Sequence, residues 1–585
     1  MTWGQLDALA SHTSADVAVR ELGLAERSRR LLALRLVLRL AREQPAARGP
    51  LAPVDEAWNV LIRAQREAPA EISAMLSDPQ LGLWTAHALR RLRDTVENDP
   101  APIWFHVGQL HAFACAAAIR AAVPFRLTIP AWDGNVVLPT LGSAHVGGGA
   151  GWGTAEIVSD ANGPRVESAG ATVAVAPNNT DWHAFRYFRA IDLELRLDDA
   201  GPHRGLTGLL PPEPLTADES ARWLGLLSDA WQLLTRGHES WARELSAGLT
   251  SIVPRPPTFR FRPHSASVGD GFGGAIVSAP HDAAQLAATL IHEFQHSKLN
   301  AIGHLKPLFV DDSTLDAYSP WRDDPRPTGG LFQGVYAFLA VMEFWEQERH
   351  RLRDRDRDLA EFEFALLREQ TATAIDELKG RRSLTETGRR FVAGVESRFA
   401  RNSSAVVPDD LLRAAERAAA DHRIGWRVGH VRPDAELVRA AVAAWAPGSA
   451  GSSTGSPVRH RRLDVKAVLA RVLLADPADL KTTRDLLGST AQVVDGAGEG
   501  DFAFVAGALE EARDLYLAEL SRPCDRPGAW AGLALVLDEL APGPASRVLV
   551  ERPELVRAAH SAVALTTGEA PDPEALAGWF AEQTG

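Results

Sequence analysis

Hydrophobic and polar positions divide the chain into stretches of different period. From residue 15 to about 120 the apolar residues recur at helical spacing, as in Ser28-Arg-Arg-Leu-Leu-Ala-Leu-Arg-Leu-Val-Leu-Arg-Leu, where arginines fall between leucines. The period changes near Pro124. Up to about residue 197, short β-branched and aromatic runs alternate with Gly, Pro, Asn and Asp, and 125–129, 171–176 and 190–197 are expected to be strands. Helix is expected again over 217–249, ended by Val253-Pro-Arg-Pro-Pro. A Gly-rich strand at 273–278 then leads into a helix over 281–299. A loop of Asp and Pro over 311–328 precedes a long helix over 331–351, with further helices over 355–445.

Residues 447–460, rich in Gly and Ser, read as a linker. Beyond them the pattern is helical to the end. Stretches such as Ala506-Gly-Ala-Leu-Glu-Glu-Ala-Arg-Asp-Leu-Tyr loosely suggest tetratricopeptide-like helix pairs, without a clean repeat. The expected fold is α+β and mostly α. It comprises a helical region (1–123), a β-rich segment (124–215), a zincin-like core around a metal helix (216–446), the linker, and a helical C-terminal domain (461–585). A chain of 585 residues is too long for a single core, which agrees with several domains.

Composition narrows the function. Two cysteines, Cys115 and Cys524, exclude a disulfide framework and a cysteine-based zinc site. A net charge of −13 argues against general nucleic-acid binding. No basic-then-apolar leader and no apolar run of about 18 residues is present, so the expectation is a cytoplasmic protein without membrane attachment. Gly147-Gly-Gly-Ala-Gly lacks a following Gly-Lys-Ser/Thr and is read as a loop, not a phosphate cradle.

The chemistry lies in Leu290-Ile-His292-Glu293-Phe-Gln-His296-Ser-Lys-Leu. On a helix, positions four apart share a face, so His292 and His296 can chelate one ion, with Glu293 beside it as the candidate catalytic residue. The rest of this helix is apolar around most of its circumference, and buried histidines and a glutamate there would need partners, which a metal supplies. Two histidines do not complete a site. Glu343, on the following helix, is the third ligand a zinc peptidase would use. His304 would stand about 12 Å along the axis from His296 unless the helix breaks near Gly303. His422 and Gln333 are further candidates, although a lone histidine such as His422 among Ala, Ile and Trp is more often an ordinary core residue. In the loop Tyr318-Ser-Pro-Trp321-Arg322-Asp-Asp-Pro-Arg326-Pro, two arginines can present guanidinium forks to a carboxylate, or else pair with Asp311, Asp312, Asp323 or Asp324.

His-Glu-Phe-Gln-His-Ser-Lys-Leu, then Pro-Trp-Arg-Asp-Asp-Pro-Arg-Pro, then Gln-Gly-Val-Tyr-Ala-Phe, together with Asp421 to Pro433, resemble the HExxH-motif proteins of peptide natural-product clusters, regarded as iron(II)- and α-ketoglutarate-dependent peptide β-hydroxylases. The likeness covers about 275–445. It implies that His292 and His296 hold iron, that His422 is the third ligand, and that Arg322 or Arg326 grips the α-ketoglutarate co-substrate. It further implies a dioxygenase acting on a ribosomal precursor peptide, with the helical C-terminal domain a candidate surface for a protein partner. His304 departs from the acidic residue expected of relatives. The alternative is a zinc-dependent metallopeptidase with Glu293 as general base.

Overall fold

In a computed structural model the described residues are 1–96, 98–147, 149–168, 170–206, 208–310, 313–446, 462–521 and 526–584. The chain is mixed α+β, about 60% helical, and divides into two compact units, Met1–Pro307 and Leu308–Gly585. That division falls inside the stretch 216–446 expected to form one core. The expected linker at 447–460 lies outside the described residues.

The first unit opens with helices Trp3–Ser11, Ala15–Glu43, Val54–Glu67, Pro69–Leu76, Pro79–Leu92 and Ile103–Arg120. Val54–Glu67 buries Val54, Ala57, Val60, Leu61 and Ala64, the stripe that helical period dictates. Pro79 starts its helix behind Asp78, whose side chain accepts from the backbone of Gln80 at 2.8 Å. Ile103–Arg120 is Ala-rich and buried along most of its length.

This helix packs on a nearly closed antiparallel sheet of seven strands. Their order is Ala171–Ala174, Gly163–Ser168, Trp152–Asp160, Phe125–Trp132, Asn135–Leu138, Gly142–His145 and Trp182–Ala184. Phe125–Trp132 alternates Phe125, Leu127 and Ile129 inward and turns through Asp133 and Gly134, both at positive φ, as a tight two-residue hairpin demands.

A second sheet, of five strands, positions the His-Glu helix. Its order is Ser265–Ala266, Gly274–Ser278, Ser251–Arg255, Glu194–Leu197 and Arg186–Arg189. The three central strands run parallel, and each edge strand is antiparallel to its neighbour. The strand expected over 190–197 is instead a hairpin. Ala190 donates to the carbonyl of Leu193, and Ile191 at the turn is fully exposed. The helix expected over 217–249 is two, Ala217–Gly237 and Glu239–Gly248, broken at His238 behind a glycine.

The second unit is helical: Thr328–Glu348, Asp354–Lys379, Glu386–Asn402, Asp409–His430 and Ala435–Trp445, then eight helices from Val465–Ala475 to Pro573–Thr584 among the described residues. Their starts are unevenly spaced. Asp409–His430 packs against both Asp354–Lys379 and Pro527–Leu540, which ties the C-terminal helices to the preceding ones within this unit. No helix among the described residues is long and apolar enough to cross a membrane.

Candidate metal centre

The His-Glu helix runs unbroken from Ala283 to Leu305. Asp282 caps it, accepting from the backbone of Gln285 at 2.8 Å, and the Gln285 side chain accepts from the backbone of His281 at 2.8 Å. Leu286, Leu290, Ile291, Phe294 and Ile302 are buried. With its apolar circumference packed, the helix holds the remaining positions rigidly.

His292 and His296 bring their Nε2 atoms to 3.1 Å, with the ring planes at 87°. Two nitrogens about 2.0–2.1 Å from one ion stand about 2.9 Å apart at a right angle and about 3.3 Å apart at the tetrahedral angle. The observed spacing lies between the two. Burial, with His296 adding to it, holds the His292 imidazole well below its ordinary range, which leaves the neutral form that binds metals. Glu293 is buried, with Oε1 at 3.9 Å from His292 Nε2, and its Oε2 has no hydrogen-bond partner. Burial raises the Glu293 carboxyl, opposed by His296 and by the hydroxyls of Ser265 and Ser267 on the edge-strand segment. An orphaned buried carboxylate oxygen beside two converging imidazoles fits a cation. Within the unit that carries this helix, no third His, Cys, Asp or Glu among the described residues brings a ligand atom within 4.8 Å of both imidazoles.

The other candidates fall into separate groups. His304 stays on the unbroken helix and meets Glu26 Oε1 at 2.8 Å, so the helix break that would let it approach His296 does not occur. Lys298, inside the motif, is fully buried and pairs with Glu244, which also meets His12 Nδ1 at 2.7 Å. Its role is to hold the helix to Glu239–Gly248.

In the second unit, His422 is buried on Asp409–His430, and its Nδ1 lies 3.0 Å from the Tyr318 hydroxyl. Burial pushes its imidazole down to about 4. Because Tyr318 occupies Nδ1, the ring offers Nε2 to any other partner. Glu343 has both oxygens engaged: Arg398 donates from Nε at 2.7 Å and from Nη2 at 2.6 Å, and Asn402 donates at 2.8 Å. A carboxylate so occupied serves the packing of Thr328–Glu348 on Glu386–Asn402. Gln333 lies half-buried on Thr328–Glu348.

The arginine loop is pinned at its base by reciprocal backbone bonds between Ala317 and Arg326, and Trp321 stacks on Phe338 at 4.3 Å. Arg322 Nε and Arg326 Nη1 both donate to Asp324, at 3.2 and 3.0 Å. Burial alone would raise the Asp324 carboxyl; the two arginines outweigh it and hold it below its usual range. Both guanidinium groups thus converge on one carboxylate at the surface.

No protein-family model matches the chain, and no curated protein matches it. What the His292–Glu293–His296 arrangement can do therefore rests on its own chemistry: two converging imidazoles for a divalent ion and an adjacent carboxylate able to exchange a proton. Sequence reading passed over His87, Asp99 and His106, which come together in the first unit.

Proposed function

We propose that this protein is an iron(II)- and α-ketoglutarate-dependent oxygenase that hydroxylates the β-carbon of residues in a ribosomal peptide natural-product precursor. The observation that carries the reading is the convergence of His292 and His296 Nε2 at 3.1 Å on a buried helix, beside an unpartnered carboxylate oxygen of Glu293. The likeness of the 275–445 stretch to the HExxH peptide hydroxylases selects the chemistry. In this reading the mixed five-stranded sheet and the His-Glu helix are a zincin-like core. His292 and His296 hold the ion, with His422 as third ligand. Arg322 or Arg326 grips the α-ketoglutarate carboxylate in place of Asp324, and Glu293 handles a proton. When bound, iron(II) with α-ketoglutarate and oxygen supplies the oxidation that exchanges a β-hydrogen for hydroxyl, releasing succinate and carbon dioxide.

A specific observation favours a second reading, a zinc-dependent peptidase: the buried Glu293 carboxyl, raised by its surroundings, suits a general base. The deciding experiment reconstitutes the protein anaerobically with iron(II), then adds α-ketoglutarate, oxygen and candidate precursor peptides. Succinate release and a peptide that gains one oxygen atom, both lost in His292→Ala, are the expected results. Peptide cleavage that depends on zinc and Glu293, with no succinate under any condition, replaces the proposal with the peptidase.

A further inference from the structure

A second group of metal-binding side chains lies in the first unit, far in sequence from the His-Glu motif. His87 stands on Pro79–Leu92, Asp99 in the connection that follows, and His106 at the start of Ile103–Arg120. One ligand atom from each lies within 4.8 Å of the other two. His87 Nε2 is 2.7 Å and His106 Nε2 is 2.9 Å from the same oxygen, Asp99 Oδ2, while Asp99 Oδ1 accepts from the backbone of Ala101 at 2.9 Å. Two imidazoles and one carboxylate form a donor set suited to divalent first-row transition ions.

Hydrogen bonding alone does not account for His106. Its ring is fully buried, yet Nε2 has no hydrogen-bond partner although the Asp99 oxygen is only 2.9 Å away, because that oxygen lies off the direction an N–H bond needs. Its Nδ1 lies 3.3 Å from His203 Nε2, itself buried. If the proton is on Nδ1 and donated to His203, the lone pair of Nε2 faces a carboxylate oxygen, a repulsive contact unless a cation sits between them. If the proton is on Nε2, it is misaligned with Asp99. At the fully buried His106 ring, either choice leaves a polar contact unmade.

An ion between the three atoms removes the conflict. His203 then fixes the His106 tautomer through Nδ1, the arrangement usual for metal-bound imidazoles. Ligand atoms about 2.0–2.1 Å from an ion stand about 2.9–3.3 Å apart, so each of the two imidazole–carboxylate contacts, at 2.7 and 2.9 Å, needs to open by only a few tenths of an ångström. Arg91 is the competing charge: its Nε lies 3.5 Å from Asp99 Oδ2, while its Nη2 is held by the carbonyl of Ala101 at 2.8 Å. An ion would share Asp99 with it.

We propose that His87, Asp99 and His106 form a second site for a divalent transition ion of the zinc class, independent of the His292–His296 pair. The site would staple Pro79–Leu92 to Ile103–Arg120 across their connection.

The test titrates the metal-free full-length chain with cobalt(II), reading visible absorption and bound metal per chain, in a His292→Ala/His296→Ala background that removes the motif. One equivalent is expected to remain. His87→Gln or Asp99→Asn added to that background is expected to weaken it by roughly 10–100-fold or more, a loss at least as large as outer partners of metal ligands produce. His87 and Asp99 line the more accessible side of the group, and circular dichroism confirms that these variants fold. Chelation is also expected to lower the melting temperature of the background protein and not that of its His87→Gln derivative. If the background protein binds no cobalt, or binds it with an affinity that neither substitution alters, the second site does not exist. Neither result depends on whether the motif binds iron, zinc or nothing.

Discussion

Glu343 offers the sharpest test of how the second unit is held together. It is 5% exposed and its partner Arg398 is fully buried. Glu343→Ala removes both acceptors of the bidentate pair and leaves a guanidinium charge in the interior. Breaking a buried ion pair from one side costs about 3–5 kcal/mol, because the desolvated charge that remains has lost its bidentate carboxylate. For a large domain that corresponds to a fall of roughly 6–20 °C in the unfolding midpoint. Glu343→Leu combined with Arg398→Met removes both charges and is expected to recover most of the loss. The assay is denaturant unfolding, followed by far-ultraviolet circular dichroism, with bound metal measured on the folded protein. The expected outcome for Glu343→Ala is lower stability with unchanged metal content. A variant that keeps wild-type stability to within about 0.5 kcal/mol while losing its metal would refute the structural assignment, because surface-like tolerance is incompatible with a buried pair. It would identify Glu343 as the third ligand of a zinc peptidase.

Three further outcomes follow from the geometry. For Glu244, burial raises the carboxyl, but Lys298 and then His12 outweigh it and hold the group at about 2, against 4.5 in an unfolded chain. A depressed carboxyl stabilises the fold above the unfolded value and loses that contribution as pH falls towards the folded one. The first unit should therefore lose roughly 3 kcal/mol between about pH 4.5 and pH 2, and Glu244→Gln should flatten this part of the urea-midpoint profile; an unchanged slope would overturn the assignment. Asp324→Asn weakens the internal competitor of Arg322 and Arg326. It should lower the KM for α-ketoglutarate roughly two- to five-fold, the worth of an exposed ion pair, whereas a raised or constant KM argues that neither arginine meets the co-substrate. Gly388→Ala would set a Cβ 1.8 Å from the carbonyl oxygen of Leu308 and should cost about 1–3 kcal/mol or more in thermal unfolding. Gly429→Ala, with nothing within 4 Å, should be neutral or slightly stabilising, and equal effects of the two would refute the packing argument.

How much could be read in advance depended on how far apart the cooperating residues lie along the chain. His292 and His296 share one helix, and four residues always place them on one face, so their convergence follows from local geometry alone. The strand expected over 125–129 was legible for the same reason and runs on to Trp132. Ala190 to Leu197 was not, since a four-residue turn inside a run of alternating apolar and charged residues leaves the alternation intact and is revealed only by exposed Ile191. Nor was the division at Pro307–Leu308, which has no composition shift to announce it. Lys298 looked like part of a catalytic motif, yet its ammonium is buried against Glu244, some fifty positions earlier, and no local pattern distinguishes the two roles. The group of His87, Asp99 and His106 is the extreme case. Its three members come from two helices and the connection between them, at spacings fixed by how that connection closes. A metal ion selects for the distance between ligand atoms and is indifferent to the number of residues between them, so a site assembled by tertiary packing leaves no periodic trace. The motif at residues 292–296 is visible in the sequence because the helix, and not the fold, sets the distance between its two imidazoles.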